Sequence, residues 1–302
     1  MSKRTIYILG IITTLILGSY TYSKYCCIDC HLQKNDFQPL KFKSTEDFAP
    51  KTVFQITGDD FDYSSKNNFD FKKEEFYAIE PIDKSIFSGI DHVKLFFDKN
   101  QNKRLIIMGF SLKNEKNRSI YPNLGYARAN IIKNYFIQHG IASNRIEIIG
   151  KTVSKWHTKQ NKICGPVLFQ ITNNQFSARA QDWEGKKEEY NDNPLYLYFN
   201  PNQPEITLTE DERQRLADLT IYLDNIPDSI LECIGNSDDT NDSYVNIQLG
   251  QERADFVKEC FVKNGIPENR IVTTSRGSKD PISDNITPEG KAKNQRTTII
   301  LK

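Results

Sequence analysis

Residues 253–271 read Arg-Ala-Asp-Phe-Val-Lys-Glu-Cys-Phe-Val-Lys-Asn-Gly-Ile-Pro-Glu-Asn-Arg-Ile. Residues 128–146 read Arg-Ala-Asn-Ile-Ile-Lys-Asn-Tyr-Phe-Ile-Gln-His-Gly-Ile-Ala-Ser-Asn-Arg-Ile. At a constant offset of 125, Arg-Ala, Lys, Phe, Gly-Ile and Asn-Arg-Ile coincide without a gap. Self-similarity of this kind points to one supersecondary unit used twice. Each copy predicts a helix followed by a strand. In the second, Phe256, Val257, Cys260 and Phe261 recur at helical spacing. Gly265 stands where a left-handed residue ends a helix. Ile271-Val-Thr-Thr is rich in β-branched residues and predicts a strand.

Working outward, 229–235 predicts a strand ending at Gly235, and 105–109 is its counterpart. Residues 195–199 predict another strand. Thr209 with Glu212 three residues on is a capping box, opening a helix to about Asp224. Residues 297–301 close the chain as a last strand. The order strand–helix–strand–helix–strand–strand predicts a two-layer α/β (α+β) fold with a mixed sheet. Two such domains are expected, at 70–172 and 192–302. The Asn-, Gln-, Glu- and Lys-rich segment 173–191 between them reads as a linker. Residues 25–69 read as a juxtamembrane segment and polar spacer, with Pro39 and Pro50.

Residues 5–22 carry no charge and follow Lys3 and Arg4. A membrane helix needs roughly 17–25 apolar residues, so 1–24 is expected to be a single uncleaved membrane anchor. The basic N-terminus places the remainder outside the cytoplasm, in a periplasm. The expected location is a bacterial inner membrane, with the outer membrane as the alternative. Flanks of Gly18-Ser19 and Cys26 do not suit signal-peptide or lipoprotein processing. The net charge of +1 provides no basic field for nucleic acid. Cys27-Ile-Asp-Cys30-His31 matches a haem-attachment pattern of three fixed residues, but the polar sequence after it offers no haem pocket. No cofactor or metal is expected. The four histidines are scattered at 31, 92, 139 and 157, without catalytic or zinc spacing, so no enzyme is expected.

The second copy carries spaced motifs: Gly235-Asn236-Ser237-Asp238, Asn246, Leu249-Gly250, Arg253-Ala254, Pro281-Ile-Ser-Asp-Asn285, Glu289-Gly-Lys291 and Asn294-Gln-Arg296. In order and spacing these resemble the OmpA C-terminal-like peptidoglycan-binding domain family over about 195–301. The resemblance implies a non-catalytic grip on the free amino-acid end of diaminopimelate in the wall peptide, with Asp238 taking the ammonium and Arg253 the carboxylate. A carboxylate and a guanidinium fork suit those two groups chemically. Arg253 was expected in the first turn of its helix, with Gly250 as cap and the helix N-terminus adding N–H donors. Asn246 and Ser237 are expected to support the loop or ligand, and Arg296 is a further candidate. Asn236, Ser237 and Gln295 depart from the family's usual His, Thr and Arg. The first copy has Leu112 where Asp238 stands, so it reads as a degenerate, non-binding copy.

Two other roles are compatible with this reading. One is a structural or interaction subunit of an envelope assembly, with envelope protein partners and little wall binding. The other is an ion-driven motor stator, since some stator subunits join one membrane helix to such a domain; residues 5–22 lack the ionisable residue a proton path needs. Finally, Cys233 and Cys260 replace Ile107 and Tyr135 of the first copy, which predicts a Cys233–Cys260 disulfide between strand and helix. The roles of Cys26, Cys27, Cys30 and Cys164 stay open.

Overall fold

The central strands of both halves are buried along most of their length, through Leu105, Ile107, Met108 and Phe110 in the first and Leu231, Cys233 and Ile234 in the second. The computed structural model describes residues 53–173, 182–199 and 208–302. The proposed anchor and Cys26, Cys27 and Cys30 lie outside the described residues. Among the described residues no helix is long and apolar enough to cross a membrane.

The first half runs β1 (Phe54–Gly58), β2 (Phe61–Ser65), β3 (Phe71–Lys72), α1 (Lys84–Lys99), β4 (Lys103–Leu112), α2 (Leu124–Gln138), β5 (Ile146–Val153), β6 (Thr158–Lys159), β7 (Lys162–Ile163) and β8 (Val167–Asn173). Its main sheet has the order β2-β1-β8-β4-β5. After α3 (Trp183–Asp192), the second half runs β9 (Leu195–Tyr198), α4 (Glu210–Asn225), β10 (Leu231–Asn236), α5 (Ser243–Lys263), β11 (Ile271–Gly277), α6 (Pro288–Asn294) and β12 (Arg296–Leu301). Its sheet has the order β11-β10-β12-β9. The mixed α/β character and the Thr209–Glu212 capping box both match expectation.

The two halves share their central geometry. β4 lies parallel to β5 and antiparallel to β8. β10 lies parallel to β11 and antiparallel to β12. In each half a helix crosses the central strand at a glycine pair. A Cβ on Gly109 would overlap the Gly125 carbonyl, and a Cβ on Gly235 the Gly250 carbonyl. One arginine then ties each helix end to its strand. Arg145 donates to the carbonyls of Phe97, Asn100 and Lys103. Arg270 donates to those of Leu223, Ile226 and Ser229, the matching residues.

Three expectations are corrected. Residues 53–65, read as spacer, supply β1 and β2; Phe54 and Ile56 are fully buried, so alternation rather than polarity decides that stretch. Trp183–Asp192, read as linker, is a helix capped by Asp182, and Trp183 packs edge-on against Tyr222. Asn191 exchanges two hydrogen bonds with Leu301 at the end of β12.

The predicted disulfide is absent: Cys233 and Cys260 are both free thiols. Cys233 faces the helix layer, where Ala254, Val257 and Phe261 form the inward stripe of α5. Cys260 stands off that stripe and is half-buried, so the two side chains do not converge. Burial pushes the Cys233 thiol up to about 12, leaving it an inert, space-filling group.

The halves are packed together. Phe76, Ile120, Tyr121, Leu124, Tyr126 and Ala127 of the first half join the core of the second. Asn264 accepts from the Ile120 N–H at 3.0 Å through its side chain, and its carbonyl accepts from the Asn130 amide at 3.0 Å. Asn134 donates to the Gly265 carbonyl at 2.8 Å. Lys133, 2% exposed at its side chain, pairs with Asp224 at 2.6 Å.

Candidate ligand-binding site

The site forms where β10 ends. A bulge between Gly235 and Asn236 breaks the register with β11, and Ser237 N–H donates to the Gly277 carbonyl at 2.9 Å. The chain then turns outward through Asp238. Asp242 caps α5 by accepting from Tyr244 and Val245 N–H. The helix therefore starts about two turns before Gly250. Arg253 lies in its interior rather than its first turn, and Gly250 serves the crossing over Gly235, not a cap. This corrects the expected contribution of a helix N-terminus beside Arg253. The sequence signal was Asp242 itself, a good cap followed by helix-compatible residues.

Arg253 reaches back from α5 and donates to the Asn236 carbonyl at 2.8 Å. Its guanidinium lies 5.9 Å from the Phe199 ring centroid. Desolvation lowers its pKa, opposed by the nearby Asp238 charge, and it stays cationic. Asp238 is only 7% exposed. Its carboxylate accepts from the Gln295 side-chain amide at 2.7 Å and from Thr240 N–H at 3.1 Å. Burial pushes the carboxyl up, but those hydrogen bonds and the Lys291 charge outweigh it and hold the pKa below the ordinary value. Asp238 and Arg253 are neighbours that do not pair with each other: each is anchored by neutral groups of the protein. Two opposite charges held apart in this way can address opposite charges on one small zwitterion.

Around them are buried polar atoms without protein partners: Asn236 Oδ1, Ser237 Oγ, Asn246 Oδ1 and Gln295 Oε1. Buried polar atoms are normally satisfied, so such a concentration marks a place for a polar guest. Asn246 also braces the wall of the site, donating to the Asn241 carbonyl at 2.8 Å and Ser278 Oγ at 3.3 Å. Asn294, fully buried, holds the 281–285 loop by accepting from Ile282 and Ser283 N–H and donating to Ser283 and Asn285. Arg296 is set apart: it donates to the Asp280 carbonyl and lies over Tyr196. Gln295, noted in sequence only as a departure, is the residue that fixes Asp238. Thr240 and Phe199 carried no sequence signal.

The sequence profile of the OmpA family matches residues 198–295. This stretch is an OmpA-family domain. Beyond it, the chain is 31% identical over 150 residues to the sodium-type flagellar protein MotY of Vibrio parahaemolyticus, covering 48% of this chain and 50% of that protein. It is 39% identical over 75 residues to the peptidoglycan-binding protein ArfA of Mycobacterium tuberculosis, covering 25% of this chain and 23% of that one. The chain thus spans half or less of these relatives. Among solved structures, the peptidoglycan-associated lipoprotein of Burkholderia pseudomallei is 22% identical, with a TM-score of 0.32, over 35% of this chain and 89% of that one. Asp238, Asn246, Arg253 and Gln295 all lie within the OmpA-family domain.

The corresponding place in the first half is filled. Arg128 donates to the Phe110 carbonyl at 2.8 Å, as Arg253 does to that of Asn236. Here, however, Glu115 pairs with the guanidinium, and both side chains are fully buried. Glu115 also accepts from Leu112 and Glu74 N–H. Trp156 stacks on Phe110 at 4.6 Å.

Proposed function

We propose that this protein associates with peptidoglycan through its OmpA-family domain and so tethers a membrane or envelope complex to the cell wall. In this reading Asp238 takes the ammonium and Arg253 the carboxylate of the free amino-acid end of diaminopimelate. Asn246 and Ser237 complete the site. The observation that carries it is the pairing of a buried Asp238 with a half-buried Arg253, opposite charges not bonded to each other, amid unpartnered polar atoms. The name of ArfA agrees with wall binding. The first half is read as a second copy of the unit whose arginine is already saturated by Glu115, so it holds no wall peptide. Residues 1–24 are read as a single inner-membrane anchor, with the folded unit in the periplasm.

Retention of the detergent-solubilised full chain on purified sacculi tests this. Asp238→Ala and Arg253→Ala should each weaken retention by about 2–5 kcal/mol, because each strands a charge of the ligand. Unchanged retention in both variants, with unchanged melting, would place the wall contact elsewhere. A second reading, a subunit of an envelope machine, is favoured by the 150-residue match to MotY, which is longer than the domain itself. It adds a partner and leaves the wall site in place.

A further inference from the structure

The end of the first half that carries the C-terminal ends of β4 and β5 is rich in unpaired cations. Three loops meet there. Lys113 N–H donates to the Val153 carbonyl, Lys73 N–H to the Asn161 carbonyl and Glu74 N–H to Glu115. They bring Lys72, Lys113, Lys116, Lys151, Lys155 and Lys159 to one end of the sheet, all exposed. None of these ammonium groups has an ion-pair partner among the described residues. Several acidic side chains close by are engaged: Glu115 with Arg128, Asp70 with Lys162, and Asp83 as the cap of α1. Glu74 lies 3.8 Å from Arg118. On a chain of net charge +1, this is a strongly one-sided distribution.

The same end is where the chain enters the unit. β1 is parallel to β8 and β8 antiparallel to β4, so Phe54 opens β1 beside the start of β8 and the end of β4. The preceding chain therefore joins the folded unit at the lysine-rich end, about 30 residues after the charge-free stretch 5–22.

We propose that this lysine-rich end docks on the anionic phospholipid headgroups of the membrane that receives the N-terminal stretch. The choice of a lipid surface rests on the anchor reading above; the cation cluster and the chain entry point are independent of it. A single apolar attachment combined with a basic patch holds a protein flat on an anionic bilayer, where each lysine strengthens partitioning about fivefold. The site proposed for wall peptide is built from residues of the other half, none of which belongs to the lysine cluster.

The test uses the full chain carrying Trp183→Phe, which leaves Trp156, in the lysine-bearing loop, as its single tryptophan. It is mixed with vesicles of phosphatidylcholine alone or with one third phosphatidylglycerol, then floated. Trp156 emission is read with and without a headgroup-linked quencher. Flotation with both vesicle types, and Trp156 quenching only with phosphatidylglycerol, is the expected result. Flotation with phosphatidylglycerol vesicles alone would support docking while refuting the anchor. Lys113→Glu, Lys151→Glu and Lys155→Glu together should abolish the quenching and leave retention on sacculi intact. Absence of lipid-dependent quenching, or quenching that survives the triple variant, overturns the proposal. Loss of sacculus retention in the triple variant without any lipid effect would assign this end to the wall instead.

Discussion

At the scale of single residues, Gln295 is the informative departure. The family resemblance leads one to expect an arginine there, which would place a second cation on Asp238. A neutral amide orients the carboxylate without cancelling its charge. In the proposed grip Asp238 must be ionised to hold an ammonium, and its pKa is lowered, so retention on sacculi should persist as pH falls below the ordinary aspartate value of about 3.9. Gln295→Ala removes one of the stabilising hydrogen bonds while burial remains. The carboxyl pKa then rises, and the acid limb of a retention-against-pH profile should move to higher pH, with retention at neutral pH reduced less than in Asp238→Ala. An unmoved acid limb would show that Thr240 and Lys291 suffice. That Asp238 and Arg253 stand near each other was legible in the sequence, because both sit in spaced motifs. Gln295's contact was not, because it joins residues 57 apart through a loop and a short helix.

At the scale of elements, both helix-on-strand crossings depend on paired glycines. Gly250→Ala would drive a methyl group toward Ser275 Oγ and the Gly235 backbone, an overpacking that costs about 1–3 kcal/mol. Thermal melting should show it as a clear fall in Tm. The same crossing carries Arg253, so retention on sacculi should fall too. The strand–helix order was readable from periodicity and from the repeat. The start of α5 was not, because the helix of the first half begins at Leu124 while α5 adds residues 243–248 ahead of the segment the two sequences share. Aligning the copies hid that extension. The disulfide expectation failed for a related reason: paired replacement in sequence indicates a shared neighbourhood, whereas one residue of rotation on a helix takes a side chain about 100° away. Labelling the unfolded, unreduced chain with a thiol reagent, followed by peptide mapping, should find both Cys233 and Cys260 modified.

At the scale of the whole molecule, the two halves are one folded body. Their seam contains a desolvated ion pair, and burial raises the Asp224 pKa despite Lys133 and Arg270 nearby. Removing one member leaves the other uncompensated, which typically costs about 3–5 kcal/mol. Lys133→Ala should therefore lower the denaturant midpoint strongly, and near- and far-ultraviolet signals should still fall together. Separate transitions for two halves would show the seam to be weaker than its contacts suggest. Sequence periodicity could not reveal this seam, since Asn130, Asn134 and Asn264 read as ordinary surface residues until the halves are in contact.

That seam also has a mechanical meaning. In the proposed tether, a body held to a membrane on one side and to a rigid polymer on the other is pulled whenever the two surfaces separate. The halves are linked covalently through residues 174–181 and non-covalently through the seam, so the seam shares any load passing between them. Tyr121, Leu124 and Asn264 then belong to the strength of the tether as much as to its thermodynamics. Stretching single molecules between handles at residues 53 and 302 should show a rupture step that Lys133→Ala shifts to lower force.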